Sequence, residues 1–475
     1  MSETRDPEQE PSPAGEMPEE FRLFKEAIHT TPDSLASDSP LDIHIATWEQ
    51  ILSAWDRYLR DSSYRPQALQ IRLPALLNGG RLYFLRFRQT QRVEDLERAL
   101  QLRQEAYQQL PQGDPELPAI ENNLLYMLNT LIELQGRRYN QSHDVQDVQR
   151  SNQLCEQALS LTAHDPTHRP RYLYYLSQGC KELYRLAGER EPLEQALAHL
   201  SEATEICPPD SPYLFPSLEL LGYTLRERFT YTDDLADLRG ASEAWQRAAR
   251  IGAPAAPEMR TLLNNVGDIM VAYYKRTQDR ADLEKFIQFC EEAVNASPQD
   301  APGLVDLLSF YSYGLSQRYE HTHESADLEQ AIQCMERAVA LSAASPEQRS
   351  SSLNNLGNML HVRYTSVGDS ADIDRAIAAY EEAIALPLAD ASAKIPTYFN
   401  LATTLVDRYE RTKEPTDLTR AIDACQDALG LNPPDPHSAS RCAKLLSGLL
   451  RERYTYTQDE NDLKRAVVFE KEWSV

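Results

Sequence analysis

The sequence predicts an all-α fold, a right-handed solenoid of about nine antiparallel helix pairs with a 45-residue period. Three observations predict it. An aromatic residue recurs at Phe87, Tyr139, Tyr184, Phe229, Tyr274, Tyr319, Tyr364, Tyr409 and Tyr454, with a first step of 52 residues and every later step of 45. Nine positions after each mark stands an aliphatic residue: Leu96, Val148, Leu193, Leu238, Leu283, Leu328, Ile373, Leu418 and Leu463. Nineteen positions after it stands alanine, at 106, 158, 203, 248, 293, 338, 383 and 428, until Trp473 ends the series. A fixed period of this length marks a stack of units that bury their apolar faces against one another, rather than one closed core.

Taken in order, residues 1–18 are rich in acids, Pro and Ser, and form a disordered acidic tail, because they cannot bury enough apolar surface to order themselves. Residues 19–65 are an N-terminal helical cap and linker. Pro18 to Thr30 has Phe21, Phe24 and Ile28 at helical spacing, and a breaker-rich stretch then runs to Pro40. Leu41 to Arg60 places Ile45, Trp48, Ile51, Leu52 and Trp55 on one face, which predicts an amphipathic helix covering the open end of the first repeat. The array occupies 66–475, with repeats at 66–115, 116–165, 166–210, 211–255, 256–300, 301–345, 346–390, 391–435 and 436–475.

Each repeat spells two helices, A and B. Ser345-Pro346-Glu347, Asp165-Pro166, Asp435-Pro436 and Asp300 to Pro302 read as starts of helix A, a cap followed by a Pro whose missing N–H would be unpaired there anyway. Seven residues before the mark helix A carries a small residue (Gly80, Ser177, Gly222, Gly267, Ser312, Gly357, Ala402, Ser447), with Ile132 the exception. Such a slot admits a close neighbour. Eight residues after the mark stands Asp (95, 147, 237, 282, 327, 372, 417, 462; Pro192 once), read as the N-cap of helix B. Arg precedes the mark at 86, 138, 228, 318, 363, 408 and 453 and is expected to pair with acids of the turn.

The formal charge of −25 excludes a duplex-binding surface, which needs Lys and Arg to replace condensed counterions, and disfavours an anionic membrane. No run approaches the roughly 20 apolar residues of a membrane span, and the start lacks signal-peptide character. The chain is expected in the cytosol or nucleus. Seven cysteines include no C-x-x-C pair, and Cys155, Cys290 and Cys425 share one repeat slot, which reads as a small buried hydrophobe.

Leu356-Gly357, Leu221-Gly222 and Val266-Gly267 in helix A, with Ala376 and Ala383 or Ala421 and Ala428 in helix B, resemble the tetratricopeptide repeat. The Gly-to-Ala distance of 19, from Gly357 to Ala376, exceeds that of the usual unit. This longer form is similar to fungal arrays that precede a CHAT domain, a caspase-like protease module. The resemblance implies a protein-binding array, not an enzyme, with its groove lined by helix A. The matching positions thirteen, ten, six and three before each mark include Tyr126, Arg171, Tyr174, Lys181, Tyr223, Arg226, Asn264, Tyr313, Asn354, Asn358, His361, Phe399, Arg441, Lys444 and Arg451.

Phosphate-loop, nucleophile-elbow and zinc-protease motifs do not occur. His321 and His323, and His164 and His168, are read as turn residues rather than metal ligands. No catalytic residue, metal or cofactor is expected, and the expected partner is another protein. The alternatives are the sensor half of a caspase-like system without its protease, and an accessory protein of a fungal biosynthetic pathway. Phe469 and Trp473 are expected to close the last repeat.

Overall fold

The computed structural model describes residues 41–60, 65–252, 257–299, 301, 303–433 and 435–472. The acidic tail, the segment Pro18 to Thr30, the linker to Pro40 and Trp473 lie outside them. Among the described residues there are nineteen α-helices and no strand, and the helices pack as consecutive antiparallel pairs. They are α1 Leu41–Arg60, α2 Arg65–Thr90, α3 Val93–Gln109, α4 Leu117–Ser142, α5 Val145–Leu161, α6 Arg169–Ala187, α7 Arg190–Ile206, α8 Leu214–Thr232, α9 Leu235–Ile251, α10 Pro257–Thr277, α11 Arg280–Ala296, α12 Leu304–Thr322, α13 Ser325–Leu341, α14 Pro346–Val367, α15 Ser370–Ala385, α16 Ile395–Thr412, α17 Pro415–Gly430, α18 Pro436–Thr457 and α19 Glu460–Glu472. Even-numbered helices are the A helices, and the odd-numbered helices from α3 onward are the B helices. Contacts divide the chain into two units, Met1–Ser217 and Leu218–Val475.

In the first unit α1 covers the first helix pair as expected: Ile45, Trp48 and Ile51 are buried in one core with Leu76, Leu82, Phe87 and Leu96. Asp42 of α1 also accepts a hydrogen bond from Arg86 at 2.7 Å. The repeat slots are filled as their periodicity predicts. Leu96, Leu193 and the alanines 106, 158 and 203 have no exposed surface. A fully buried Leu is worth about 1.5–3 kcal/mol, so these slots dominate the energetics of each pair.

The second unit shows why helix A needs a small residue. A Cβ on Gly222 would stand 2.2 Å from Trp245, and one on Gly357 would stand 2.5 Å from Tyr380; both aromatics are on the B helix of the same repeat. Gly267 instead admits Phe310 of the next A helix, at 2.4 Å. At the end of the unit Phe469 is half-buried.

The Asp eight residues after the mark is not the cap of helix B. The cap lies three residues earlier, where Asp144, Asp234, Asp279 and Asp369 accept hydrogen bonds from the amides of Gln146, Ala236, Ala281 and Ala371. Helix B opens two residues before the Asp rather than at the aliphatic, so the Asp sits inside the first turn. There Asp95, Asp147, Asp237, Asp327, Asp372, Asp417 and Asp462 are buried and each meets the Arg before the mark of its own repeat. Arg318, Arg363 and Arg408 reach further, to Glu284, Glu329 and Asp374 of the preceding B helix, at 2.9, 2.5 and 2.6 Å.

The A-helix starts are mixed. Ser345 and Asp435 are caps with Pro at the first helical positions, as predicted. Asp165 instead accepts from the amides of Thr167 and His168 in a turn before α6, which begins at Arg169. The cap of α12 is Gly303, in the left-handed region at φ 89°; Asp300 and Pro302 lie outside the described residues.

Every A helix ends in the same way. The residue four after the mark has positive φ and donates its N–H to the carbonyl of the mark, from Gln91 to Phe87, through His143, Gly188, Asp233, Gln278, His323, Gly368 and Lys413, to Gln458 and Tyr454. This left-handed turn satisfies an otherwise orphaned carbonyl and reverses the chain into helix B.

Candidate functional site

Four of the fifteen residues expected to line a groove fall in the first unit. Tyr126 of α4 is 60% exposed and meets Phe84 edge-on at 5.7 Å. Arg171 of α6 lies over the Tyr175 ring at 5.4 Å and reaches Glu133 at 3.4 Å. Tyr174 accepts a hydrogen bond from Gln178 at 2.9 Å and stands 6.2 Å from the Tyr213 ring. Lys181 is half-buried on α6.

The other eleven fall in the second unit, where most are engaged between successive A helices. Tyr223 accepts from Asn265 at 2.6 Å, and Arg226 lies 5.4 Å over Tyr223. Asn264 donates to Asp306 at 3.5 Å, Asn354 accepts from Asn400 at 3.0 Å, and His361 Nε2 is 2.5 Å from Asp407. Arg441 covers the Phe399 ring at 4.2 Å, while Lys275 stands 6.0 Å over Tyr313. Asn358 accepts from the buried Tyr380 at 2.8 Å. Arg451 pairs with Glu470 at 2.8 Å, and Lys444 is exposed. These side chains form a polar ladder along the A helices. They join repeats to one another.

His321 and His323 lie at the end of α12, with His321 Nε2 2.6 Å from the Tyr274 hydroxyl. His168 is in the turn before α6 and meets Asp165 at 2.6 Å. All seven cysteines are buried free thiols, and burial pushes Cys155 up to about 12 and Cys180 and Cys334 up to about 11. Such thiols are poor nucleophiles at neutral pH and act as packing groups.

A concavity lies elsewhere in the first unit, between α4, α5 and α6, with a volume of about 400 Å³. Ile132, Tyr139, Val148 and Tyr175 supply its apolar walls. Its lining holds three carboxylates, Glu133, Asp147 and Glu182, and no Lys, Arg or His. The Tyr139 hydroxyl donates to Glu182, which raises the phenol's pKa. Arg185, and then Tyr139, hold Glu182 below the usual carboxylate range against the opposing effect of burial. That carboxylate is therefore ionised at neutral pH.

Two adjacent residues in the lining of this cleft depart from the other copies. Three before the mark, where other repeats carry Phe84, Lys181, Arg226, Val271, Ser316, His361, Val406 or Arg451, this repeat has Gly136. A Cβ built there meets nothing within 4 Å. One position earlier, where five of the other eight copies carry Leu and the rest Tyr83, Cys180 and Met270, stands Gln135. Gln135 is 6% exposed, and its Oε1 has no hydrogen-bond partner. Asn152 repeats the departure on α5, in a slot that is aliphatic in every other copy but one, the exception being Ser242. Its Oδ1 is also buried without a partner. The expected groove set did not include these residues. The signal that finds them is the departure of one copy from its own repeat consensus.

No protein-family model matches the chain, and no curated protein matches it. Solved structures similar to it include BtubC (BKLC) from P. vanneervenii, 16% identical over 50% of this chain and 91% of that one, with a TM-score of 0.37. Another is the C-terminal part of a TPR repeat-containing protein from Cytophaga hutchinsonii, 12% identical, covering 67% and 98% of the two chains, with a TM-score of 0.37. A third is a Podosopora anserina putative kinesin light chain with nearly identical TPR-like repeats, 16% identical over 46% and 96%, with a TM-score of 0.29. At these scores the likenesses carry no argument about function.

Proposed function

We propose that this chain is a non-catalytic interaction scaffold that binds a peptide or helix of another protein on its A-helix faces. The observation that carries this reading is the cleft of about 400 Å³ between α4, α5 and α6, with aromatic and aliphatic walls and a few polar groups. That composition suits a side chain of a macromolecular ligand: apolar walls supply affinity and sparse polar groups fix orientation. The exposed Tyr126 and the half-buried Tyr174 extend the same A-helix surface. Tyrosine is an efficient contact residue because it offers large area for little conformational entropy. Seven free buried thiols suit a reducing compartment, and we place the chain in the cytosol on that ground.

The test is capture of partners by the full chain, followed by cross-linking and mass spectrometry of the complex. Cross-links concentrated on α4 and α6, and loss of the same partner on Tyr126→Ala/Tyr174→Ala, are the expected results. A partner retained undiminished by that variant, or cross-linked only to B helices, overturns the placement of the site.

A further inference from the structure

We infer that the cleft between α4, α5 and α6 receives a cationic side chain, the Lys or Arg of a partner peptide. The inference rests on the scaffold reading and specifies its ligand chemistry.

The argument starts from what the repeat would otherwise contain. The A-helix slot of Gly136 holds a larger side chain in every other copy, and such a side chain here would project into open space beside the buried Gln135. Gly136 sits inside α4 with open space where its side chain would be, so it satisfies no packing requirement. A glycine inside a helix destabilises it relative to alanine. The repeat forgoes that stability and leaves a cavity.

The charged groups in the lining are all of one sign. Glu133, Asp147 and Glu182 are acceptors, and the buried Oε1 of Gln135 is an acceptor without a donor. Ile132, Val148 and the rings of Tyr139 and Tyr175 suit the methylene stem of a long side chain. Tyrosine faces also attract a guanidinium or ammonium head. An anionic ligand would meet three carboxylates and no lining cation. A purely aliphatic one would cover the lining carboxylates without offering them a donor.

Arginines of the chain touch these carboxylates from outside the lining: Arg137 and Arg171 reach Glu133 at 4.0 and 3.4 Å, Arg138 reaches Asp147 at 3.0 Å, and Arg185 reaches Glu182 at 2.5 Å. The Arg137, Arg138 and Arg185 side chains are 74%, 65% and 64% exposed. Only the Arg137–Glu133 pair is exposed at both ends and worth little, so Glu133 is the carboxylate freest to take an incoming cation, whereas the buried Asp147 stays with Arg138.

The test uses the full chain with labelled isoleucine methyls and three capped amino acids as probes: N-acetyl-arginine, N-acetyl-norleucine and N-acetyl-glutamate methylamides. The expected result is a saturable shift of the Ile132 methyl with the arginine probe, at an apparent Kd about tenfold below that of norleucine, with no saturation by glutamate. Gly136→Leu should abolish the shift while leaving the melting temperature unchanged or raised. Glu133→Gln/Glu182→Gln keeps the shape and should raise the Kd at least about fivefold. Equal binding of norleucine and arginine, saturation by glutamate, indifference to the carboxamide variant, or no saturable shift up to about 50 mM overturns the inference. A partner captured on α4 and α6 together with any of these results would leave the scaffold standing and remove only its proposed chemistry.

Discussion

Arg363 grips Asp372 across the turn of its repeat with two hydrogen bonds, Nε to Oδ2 at 2.8 Å and Nη2 to Oδ1 at 2.7 Å. The carboxylate is 5% exposed, and the third arm of the guanidinium reaches Glu329 of the preceding B helix. One arginine therefore ties helix A to helix B of its own repeat and to the B helix of the preceding repeat. The two copies without this arginine differ. Leu183 and Pro192 replace both partners, whereas Tyr273 replaces the arginine alone and accepts a hydrogen bond from Arg239 of the preceding B helix at 2.7 Å.

Removing one partner of this pair is costlier than removing both. Arg363→Leu leaves Asp372 buried and unpaired, and should lower stability by about 3–4 kcal/mol, the lower part of the range for breaking a buried pair because Arg363 keeps some water contact. Arg363→Leu/Asp372→Leu should cost less than the single change. Chemical denaturation read by hydrogen exchange in α14 and α15 checks the cycle; a double variant worse than Arg363→Leu would contradict it.

The glycines of helix A respond to alanine with opposite signs. At Gly357 a methyl meets the Tyr380 ring at 2.5 Å, so Gly357→Ala should destabilise the second unit by about 1–3 kcal/mol. At Gly136 it meets nothing, and Gly136→Ala should stabilise the first unit by up to about 1 kcal/mol. Melting curves of the two variants distinguish a packing glycine from a cavity glycine.

The turn after helix A is suboptimal in seven of nine copies, because its left-handed residue is glycine only at 188 and 368. Lys413→Gly or Gln458→Gly should relieve that strain, for a net gain of about 0.5–1 kcal/mol. Gly368→Ala, at φ 81°, should lose about 1 kcal/mol. Thermal shifts of opposite sign are the expected observation.

Acid should loosen the end of the second unit. Arg453 holds the Asp462 carboxyl below its ordinary range. A carboxylate with a depressed folded-state pKa contributes stability that is complete above its unfolded value of about 3.9 and is lost as pH falls through the folded value. Protection of α19 amides should therefore fall below about pH 4. In Asp462→Asn that part of the acid dependence should disappear.

The 45-residue period by itself determined the helix pairs, the buried aliphatic and alanine slots and the close-approach glycines, and the apolar face of Leu41 to Arg60 marked α1 as a helix that packs on the array. These properties repeat, and a side chain that recurs at one register has one packing role that spacing alone reveals. Tertiary structure decided the rest, because it depends on partners that periodicity does not name. Asp372 looked like a helix cap until the fold set Arg363 beside it and put the cap on Asp369. The left-handed turn was hidden because Gln, His, Asp and Lys occupy it as well as Gly. Most of the expected groove residues of the second unit are occupied by contacts to the next A helix, such as Asn354 with Asn400. The cleft at Gln135 and Gly136 arises where a single repeat breaks its own pattern, and only the packing of α4, α5 and α6 turns a missing side chain into an open space.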